Sequence, residues 1–414
     1  MTKVDQRRFD NQRPDRADYV TARQAAEILE LKLPSLYAYV SRGLLRSVAG
    51  PSGRPRRYLR ADLDRLLARR DARRGHGPVA AGALRWGEPV LDSAITEITA
   101  EGPRYRGRLA TELMSGHTFE AVAELLIGGA LPAADAWWPA PLPDPPALPR
   151  GVTPIEALSI AVPMLAARDR ARFDRAPAVE LRRARELLGI LARCAGPRRA
   201  RAARARGSIA AITACSFGVR ATPATAELLD RALIAIADHE LNVSTFAARV
   251  AASAGADLYA STSAALAALS GPLHGGACDR IEAVIEACGS SRGARALVTQ
   301  RARRGEGVPG FGHRLYPDGD PRARPVLELA YRIGEKVPAV RTARALARAM
   351  TRAGHEPPTI DYALVVTANA LGMPAGAATA LFAIGRTAGW IAHAFEQRDA
   401  GFMLRPRARF VGVA

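Results

Sequence analysis

The sequence predicts a mainly α-helical protein, and three observations support this prediction. From Trp86 onward, apolar residues recur at spacings of three and four, which is the period of an amphipathic helix. Alternating runs of β-branched residues, the usual sign of strands, are nearly absent there. The chain has 414 residues, of which 48% are hydrophobic and 24% charged, so we expect a globular fold with two or three domains.

Periodic segments place individual helices in the part of the chain after Trp86. We expect helices at Phe119 to Leu126, Pro154 to Ala167, Val179 to Cys194, Ala224 to Ala237 and Ala264 to Leu269. The proline-rich stretch 139–154 is predicted to be a surface loop. The arginine-rich run 198–206 is interpreted as a solvated helix face in preference to a nucleic-acid site.

The first 84 residues differ in composition from the rest. Residues 1–18 are charged and poor in apolar side chains, which predicts disorder. Residues 19–74 form a compact pattern of short helices and a hairpin. Residues 75–84 are rich in glycine and alanine and are predicted to be a linker.

The compact segment 19–74 has recognisable start and stop signals. Thr21 and Gln24 predict a capping box at the start of a first helix. Pro34 suits the first turn of a second helix. Residues 48–58 carry glycine and proline near their middle, which predicts a hairpin, and a third helix carrying Leu63 follows.

This order of helix, turn, helix, basic wing and helix resembles the small winged helix-turn-helix domains of excisionases and mercury-type regulators. The resemblance implies duplex DNA as a partner, with the second helix in the major groove and the wing on the phosphates. Ser35, Tyr39 and Arg42 would contact the bases. Arg54, Arg56 and Arg57 would contact the phosphate backbone of the DNA. The alternative is a module that serves only packing or oligomerisation.

The net charge of +19 allows two interpretations. Residues 1–80 hold 18 basic and nine acidic side chains, so about half of the excess lies in the helix-turn-helix segment. Only Lys3, Lys32 and Lys336 are lysines. The strong preference for arginine over lysine indicates a genome-wide coding bias as readily as it indicates a nucleic-acid partner.

Hydropathy and cysteine usage exclude several classes. No apolar run reaches the length of a membrane span, and the first residues lack the apolar core of a signal peptide. We therefore expect a cytoplasmic protein without a membrane partner. The four cysteines show no C-x-x-C pair or metal-ligand spacing, so we expect reduced thiols and no metal site.

The stretch from Ser270 to Arg322 carries two histidines flanked by glycines. His274 lies in SGPLHGGACDR and His313 in VPGFGHRLYPDGDPR. The small side chains allow the backbone to approach a ligand, and exposed N–H groups there can hold phosphates or polarised carbonyls. Together with the Asp-Pro-Arg sequence after His313, these two glycine-flanked histidines predict a site that binds and polarises an anion.

These segments resemble the citrate synthase family. Its GPxHGGAN-type loop is similar to Gly271 to Cys278, and its PGxGHxxY…DPR loop is similar to Pro309 to Arg322. Further similar segments follow in the family's order, at Tyr105 to Gly107, Phe119 to Pro132, Asp238 to Thr245, Pro358 to Tyr362 and Phe382 to Gln397. Several motifs in order are more specific than any single one, and the resemblance covers residues 85–414.

The resemblance implies a citrate synthase-like helical fold of two domains. The large domain would comprise residues 85–275 and 373–414, and the small domain residues 276–372. The small domain would close over the substrate and exclude water before the chemistry. The arginine that Arg405 matches reaches into the neighbouring subunit's site in the family, which implies at least a homodimer.

The resemblance also implies an activity, the condensation of acetyl-CoA with oxaloacetate and water to citrate and CoA. This acyl transfer is the first step of the tricarboxylic acid cycle. Asp361 would abstract the methyl proton, His274 would hold the enolate oxygen, and His313 would polarise the ketone. Acetyl-CoA is a co-substrate in this scheme, and no permanently bound cofactor is implied.

Residues for substrate binding follow from the same resemblance. The carboxylates of oxaloacetate would be held by Arg322, Arg386, Arg405 and His239, since a guanidinium fork fits a carboxylate. Ser244 would orient His274. The backbone at Val308, Gly310 and Gly312 would contact the adenine end of CoA.

Three departures from the family pattern leave the acyl substrate open. Cys278 stands where the family usually has Asn, and Thr359 replaces a common Asn before Asp361. Ala363 and Leu364 follow where Ser or Gly residues are frequent in the family. A pocket discriminates one methylene by only about 1–3 kcal/mol, so propionyl-CoA, giving 2-methylcitrate, is an alternative. A second alternative is a DNA-binding regulator whose body senses a carboxylate or acyl-CoA without turnover. Such a sensor needs the arginines but has no use for Asp361.

Overall fold

A computed structural model describes residues 19–29, 31–41, 45–48, 56–59, 62–63, 66, 91–133, 138, 142–198, 202 and 207–408. The chain divides into two compact units, with the boundary between Asp92 and Ser93. The segment 1–18, the linker 75–84, Arg42 and Arg54 lie outside the described residues. The division of the helical body into a large and a small domain stays a prediction.

The first unit combines two helices with a small sheet. Its elements are β1 (Tyr19–Thr21), α1 (Ala22–Ile28), α2 (Leu33–Ser41), β2 (Ser47–Val48) and β3 (Arg57–Leu59). The central strand β3 pairs antiparallel with both β1 and β2. The predicted capping box between Thr21 and Gln24 is present at the start of α1. The two strands of the predicted wing are also present, and the tip between them lies outside the described residues.

The first unit has its own core, formed by Ala25, Ala26, Leu29, Leu36, Leu45, Tyr58 and Leu63. On α2, Ser35 is exposed, as the prediction of a DNA contact requires. Tyr39, in contrast, packs partly against this core, while its neighbour Tyr37 is 53% exposed. Of the two tyrosines, Tyr37 is therefore the more accessible to a partner.

The second unit begins with a three-stranded antiparallel sheet of β4 (Thr96–Thr99), β5 (Gly102–Tyr105) and β6 (Arg108–Leu109). The sequence did not predict these strands, because segments of two to four residues are too short to show a period. The sheet matters for the site. The buried Tyr105 hydroxyl donates to the carbonyl oxygen of Ile234 at 2.9 Å and lies 3.1 Å from that of Asp238, which fixes the segment before His239.

The rest of the second unit is helical, as predicted. Its helices are α3 (Ala110–Gly116), α4 (Phe119–Gly128), α5 (Pro154–Arg168), α6 (Pro177–Cys194), α7 (Ile209–Ser216), α8 (Pro223–Ala235), α9 (Val243–Ser253), α10 (Leu258–Leu269), α11 (Gly276–Cys288), α12 (Ser291–Arg304), α13 (Ala323–Ile333), α14 (Pro338–Arg352), α15 (Ile360–Ala370) and α16 (Ala377–Asp399). The five predicted helices are all present, although the last begins at Leu258, six residues before its predicted start. Among the described residues, no helix is long and apolar enough to cross a membrane.

Helix α16 is the central element of the second unit, since nearly all of its residues are buried. It lies close to the segment that joins α8 to α9, and Gly389 makes this approach possible. A Cβ at this position would lie 2.5 Å from the carbonyl oxygen of Ala237 and 2.3 Å from Oδ1 of Asp238. The approach places α16 beside His239.

Glu120, on α4 and outside the two histidine loops, carries a buried carboxyl group. Glu120 is 1% exposed, and its Oε1 accepts the backbone N–H of Ile209, while Oε2 has no hydrogen-bond partner among the described residues. Burial, and secondarily the charge of Asp230, raises the pKa of Glu120 to about 8. The folded protein therefore holds a proton that the unfolded chain releases above its ordinary pKa of 4.5.

Stability should therefore fall as the pH rises from about 4.5 toward 8, by up to about 1.4 kcal/mol per pH unit. Glu120→Gln should remove this slope, because an amide has no proton to release. Urea unfolding at several pH values measures the effect, with the exposed Glu97→Gln as the matched control. Equal slopes in wild type and Glu120→Gln would show that Glu120 does not cause the loss.

Candidate active site

His274 lies in the loop between α10 and α11 and contacts the start of α9. Its Nε2 is 2.9 Å from Oγ of Ser244. The Ser244 hydroxyl lies 2.7 Å from Asn242 Oδ1 and accepts the indole N–H of Trp390 at 3.1 Å. Asn242 Oδ1 also accepts two backbone N–H groups and thereby caps α9. The imidazole is thus held by a network that joins α9 to α16.

The environment of His274 keeps its imidazole neutral. Burial, assisted by the positive charge of Arg386, lowers its pKa to about 4. The ring of Phe382 meets the imidazole edge-on, with 5.8 Å between ring centroids. A neutral imidazole carries one N–H and one lone pair, so it can donate one hydrogen bond to a ligand.

The loop of His313 is joined to the segment that precedes Asp361. The backbone N–H of Gly312 donates to Pro357 O at 3.1 Å, and that of Thr359 donates to Gly310 O at 2.9 Å. Gly310 has φ +89°, and a Cβ there would lie 3.0 Å or less from Ile281 and Tyr362. Packing and conformation therefore require this glycine.

His313 belongs to a cluster of three rings with His239 and Tyr316. The centroid of His239 lies 5.6 Å from that of His313, and Tyr316 lies 4.9 Å from His313. The Tyr316 hydroxyl is 2.9 Å from His239 Nε2. Burial is the main cause that lowers the pKa of His239 and of His313, and the positive charge of Arg322 is the second. The backbone N–H of Leu315 donates to His313 Nδ1 at 3.2 Å, so in the neutral ring Nε2 carries the hydrogen.

Asp320 connects Arg322 to the start of α15. Its carboxylate accepts Nε and Nη2 of Arg322, both at 2.9 Å, and also the backbone N–H of Ile360 at 2.9 Å. Arg322 is 2% exposed, and burial alone would lower its pKa, but the charge of Asp320 outweighs burial and raises it. The guanidinium is therefore permanently charged and fixed in orientation.

Asp361 is the second residue of α15. Burial raises the pKa of its carboxyl group, and the charge of Asp320 adds to this, while Arg322 and Arg386 act in the opposite direction. A carboxylate with a raised pKa is a stronger base than an ordinary aspartate. This property suits a group that must take a proton from carbon.

Arg386 projects from the middle of α16 and is 2% exposed. Its Nε donates to the carbonyl oxygen of Ile236 at 2.7 Å, and its guanidinium lies 4.7 Å from the centroid of Phe382. Burial, and the neighbouring charge of Arg322, lower its pKa to about 10. None of the ion pairs among the described residues includes Arg386, so its charge is available to an anionic ligand.

The structure brings most of the predicted site residues together. Arg322 and Arg386 both act electrostatically on His239 and Asp361. Arg322 also acts on His313, and Arg386 acts on His274. Arg405 stands apart, because its side chain is exposed and takes part in no hydrogen bond or ion pair of the described residues.

Some residues of the site were not predicted from the sequence. Tyr316, Asn242 and Trp390 all lie within the recognised motifs, but no role was assigned to them. The motif positions alone give no information about which side chains touch. Asp320 was noted only as part of the Asp-Pro-Arg sequence, and its bond to the start of α15 joins residues forty apart in the chain.

Neither a cluster of metal ligands nor a large basic groove belongs to the candidate site in the described part of the chain. No group of three or more His, Cys, Asp or Glu side chains in the described part of the chain is arranged to hold a metal ion. A groove of about 1150 Å³ lies between α12 and α14, and half of the residues that line it are basic, including Arg295, Arg344 and Arg348. None of the site residues lines it.

Comparison with known proteins identifies both units. A sequence profile described as "Citrate synthase, C-terminal domain" matches residues 83–407. A second profile, described as "Helix-turn-helix domain", matches residues 19–71. The first match covers most of the chain, and the second lies within the first unit.

Similar curated proteins carry the same description. Citrate synthase 2 of Bacillus subtilis is 36% identical over 199 residues, which are 47% of this chain and 53% of that protein. Putative citrate synthase 2 of Mycobacterium tuberculosis is 39% identical over 197 residues, 46% of this chain and 52% of the relative. The chain thus spans about half the length of the curated relatives it matches.

A solved structure is similar over a longer range. It is a ternary complex of carboxymethyl coenzyme A and oxaloacetate with citrate synthase from Thermoplasma acidophilum. The TM-score is 0.67 at 26% sequence identity, covering 79% of this chain and 94% of the other. A citrate synthase structure from Thermotoga maritima gives a TM-score of 0.63 at 27% identity, covering 79% of this chain and 94% of that one.

Proposed function

The chain belongs to the citrate synthase family, and we propose that it condenses acetyl-CoA with oxaloacetate and water to citrate and CoA. One observation carries this proposal. Two buried arginines act electrostatically on the three groups: Arg386 on His274, Arg322 on His313 and both on Asp361. This combination of charges would suit a small dianion and a weak carbon acid. A binding site alone would need the arginines but not a carboxylate with a raised pKa.

The first step is proton abstraction from the methyl group of the thioester. Asp361 takes the proton while His274 donates a hydrogen bond to the developing enolate oxygen. This requires the hydrogen of the imidazole on Nδ1, because Nε2 faces Ser244. The single hydrogen of the Ser244 hydroxyl, which lies toward Asn242 Oδ1 in the structure, must then turn toward Nε2, while the oxygen still accepts from Trp390.

The second step joins the enolate carbon to the ketone carbon of oxaloacetate. The Nε2–H of His313 polarises the ketone oxygen and passes it a proton as the carbon–carbon bond forms. Water then hydrolyses the citryl-CoA thioester and releases CoA. A neutral His313 suits this role, since it can donate a proton to the new alkoxide.

Oxaloacetate is a dianion, and buried guanidinium groups offset its charge. Arg322 is oriented by Asp320, and Arg386 is held by the carbonyl oxygen of Ile236. His239 adds a further polar contact beside His313. The backbone of Val308, Gly310 and Gly312 would contact the adenine end of CoA.

The experiment that tests this function is a thiol-release assay with the full chain and oxaloacetate. We expect acetyl-CoA to be turned over faster than propionyl-CoA. A preference for propionyl-CoA would instead indicate 2-methylcitrate synthesis. No thiol release with either thioester, while oxaloacetate still stabilises the protein against heat, would indicate a sensor without turnover.

We further propose that the active sites are shared between two subunits of a homodimer through Arg405. Its exposed side chain makes no hydrogen bond or ion pair with the described residues of its own chain, which fits a role in a neighbouring subunit. In a two-fold dimer, each Arg405 would complete the partner's site.

Mixing two inactive variants tests the shared site. Arg405→Ala and Asp361→Ala subunits, after exchange, should regain about a quarter of the wild-type activity, because half of the dimers are mixed and each mixed dimer holds one intact site. Native mass spectrometry verifies the exchange. If the exchanged mixture stays inactive, Arg405 acts within its own chain.

For the first unit we propose binding to duplex DNA. The profile match and the paired strands of the wing support it. Arg56 is exposed and Arg57 is half-buried on β3, so both can reach phosphates beside the wing. Ser35 on α2 would face the bases, with the accessible Tyr37 close to it.

Salt dependence tests the DNA-binding proposal. The full chain should bind duplex DNA with an affinity that falls steeply as salt rises, because phosphate contacts release counterions. Replacing Arg56 and Arg57 together by Ala should reduce the slope of log K against log salt by about 1 to 2. The exposed Arg182→Ala is the matched control. An unchanged slope in the double variant would exclude these two residues from the phosphate contacts.

A further inference from the structure

Cys278 contacts the carboxylate of the proposed base. Its Sγ lies 3.9 Å from Oδ1 of Asp361, at the long end of an S–H···O contact. Among the described residues, no other side chain makes a hydrogen bond to this carboxylate. Cys278 is the third residue of α11, and His274 stands four positions before it. The thiol thus contacts the proposed base and belongs to the same chain segment as the proposed donor to the enolate.

The thiol is held in its protonated form. Cys278 is 1% exposed, and burial raises the pKa of its thiol well above the ordinary value, with the negative charge of Asp361 as the next cause. Glu282 and Asp279, on the same helix, act in the same direction. A thiol that keeps its hydrogen can donate only a weak hydrogen bond.

The donor at this position influences how strongly the base holds a proton. Hydrogen bonds to a carboxylate favour its charged form and so weaken it as a base. Where the family usually has Asn, an amide N–H would be a stronger donor than S–H. The other charged groups that act on Asp361 are Asp320 and Arg322 from the segment before α13 and Arg386 from α16.

On the basis of the function proposed above, we propose that Cys278 is a positioning residue that orients the Asp361 carboxylate toward the thioester methyl group and, as a weak donor, leaves it a stronger base than an amide would. The contact between Sγ and Oδ1 defines the orientation. The substrate of the step is still a thioester with an acidifiable α-hydrogen, and Cys278 itself exchanges no proton with it.

Three variants at Cys278 separate donor strength from packing. Cys278→Ser and Cys278→Asn supply stronger donors, so the acidic limb of the kcat/KM profile should move down by about 0.5 to 1 pH unit. Cys278→Ala supplies no donor, so kcat should fall severalfold with no downward move of the limb. Cys288→Ser, another buried cysteine of α11, is the matched control and should leave the profile unchanged. The proposal would be overturned if the acidic limb of the kcat/KM profile lay at the same pH in the wild type, Cys278→Ser and Cys278→Asn.

A second measurement does not depend on turnover. The S–H stretching band lies in a region of the infrared spectrum free of other protein bands, and the band of Cys278 is the one lost in Cys278→Ser. Asp361→Asn should shift this band, because the carboxylate acceptor is replaced. If the wild type releases no thiol from either acyl-CoA, the proposed function fails and this band alone decides on the contact. A band that does not respond to Asp361→Asn overturns the inference even in an active enzyme.

Discussion

Asp361→Asn should lower kcat by at least about 10²-fold, the usual loss when a positioned base is removed. The amide has nearly the shape of the carboxylate but cannot take the methyl proton. Oxaloacetate binding should persist, because Arg322 and Arg386 are unchanged. Single-turnover thiol release measures the loss, and the heat stability of the protein with and without oxaloacetate measures the retained binding.

The matched control for this variant is Asp318→Asn, in the loop after His313. It is the same chemical change at an exposed carboxylate of the same motif. The control should keep wild-type turnover. Near-normal turnover in Asp361→Asn would remove Asp361 from the mechanism and leave the raised pKa of its carboxyl group without a catalytic purpose.

Arg386→Gln should separate activity from stability. Removing one partner of a buried ion pair costs about 3–5 kcal/mol, so the KM for oxaloacetate should rise by about 10²-fold or more. The free protein should be no less stable than the wild type, and its unfolding temperature should even rise. The reason is that burial disfavours this charge, as the lowered pKa of about 10 indicates.

Thermal unfolding with and without oxaloacetate measures both effects. Oxaloacetate should raise the unfolding temperature of the wild type and raise that of Arg386→Gln far less at the same concentration. The matched control is Arg324→Gln, because Arg324 is exposed and its one ion pair among the described residues is with Glu328, one helical turn away. A variant that loses stability but keeps its KM would show that Arg386 serves packing instead of the substrate.

The helical fold could be predicted from the sequence, and the candidate site could be proposed from it, because both depend on local patterns. The helical period is visible along α5 and α6, and the prolines at their starts and the cap at Thr153 mark where they begin. The motifs around His274 and His313 carry the chemistry in short segments. Such features can be found without knowing what packs against them.

The parts that the sequence could not predict depend on contacts between distant segments. Tyr105 is 129 residues from the carbonyl oxygen of Ile234, to which it donates, and Cys278 is 83 residues from Asp361. The exposure of Tyr37 in place of Tyr39 depends on which face of a two-and-a-half-turn helix meets a small core. A single sequence carries no information on these pairings.

Backbone hydrogen bonds from Gly312 to Pro357 and from Thr359 to Gly310 join the loop of His313 to the segment that precedes Asp361. His274 is joined to a different element, because Ser244 links its imidazole to Trp390 on α16. A displacement of α15 relative to α16 would therefore change the distance between Asp361 and His274 but not the link between Asp361 and His313. It would also move Arg322, which Asp320 joins to Ile360, relative to Arg386 on α16. In the proposed mechanism, such a displacement would slow formation of the enolate while His313 keeps its place beside the ketone.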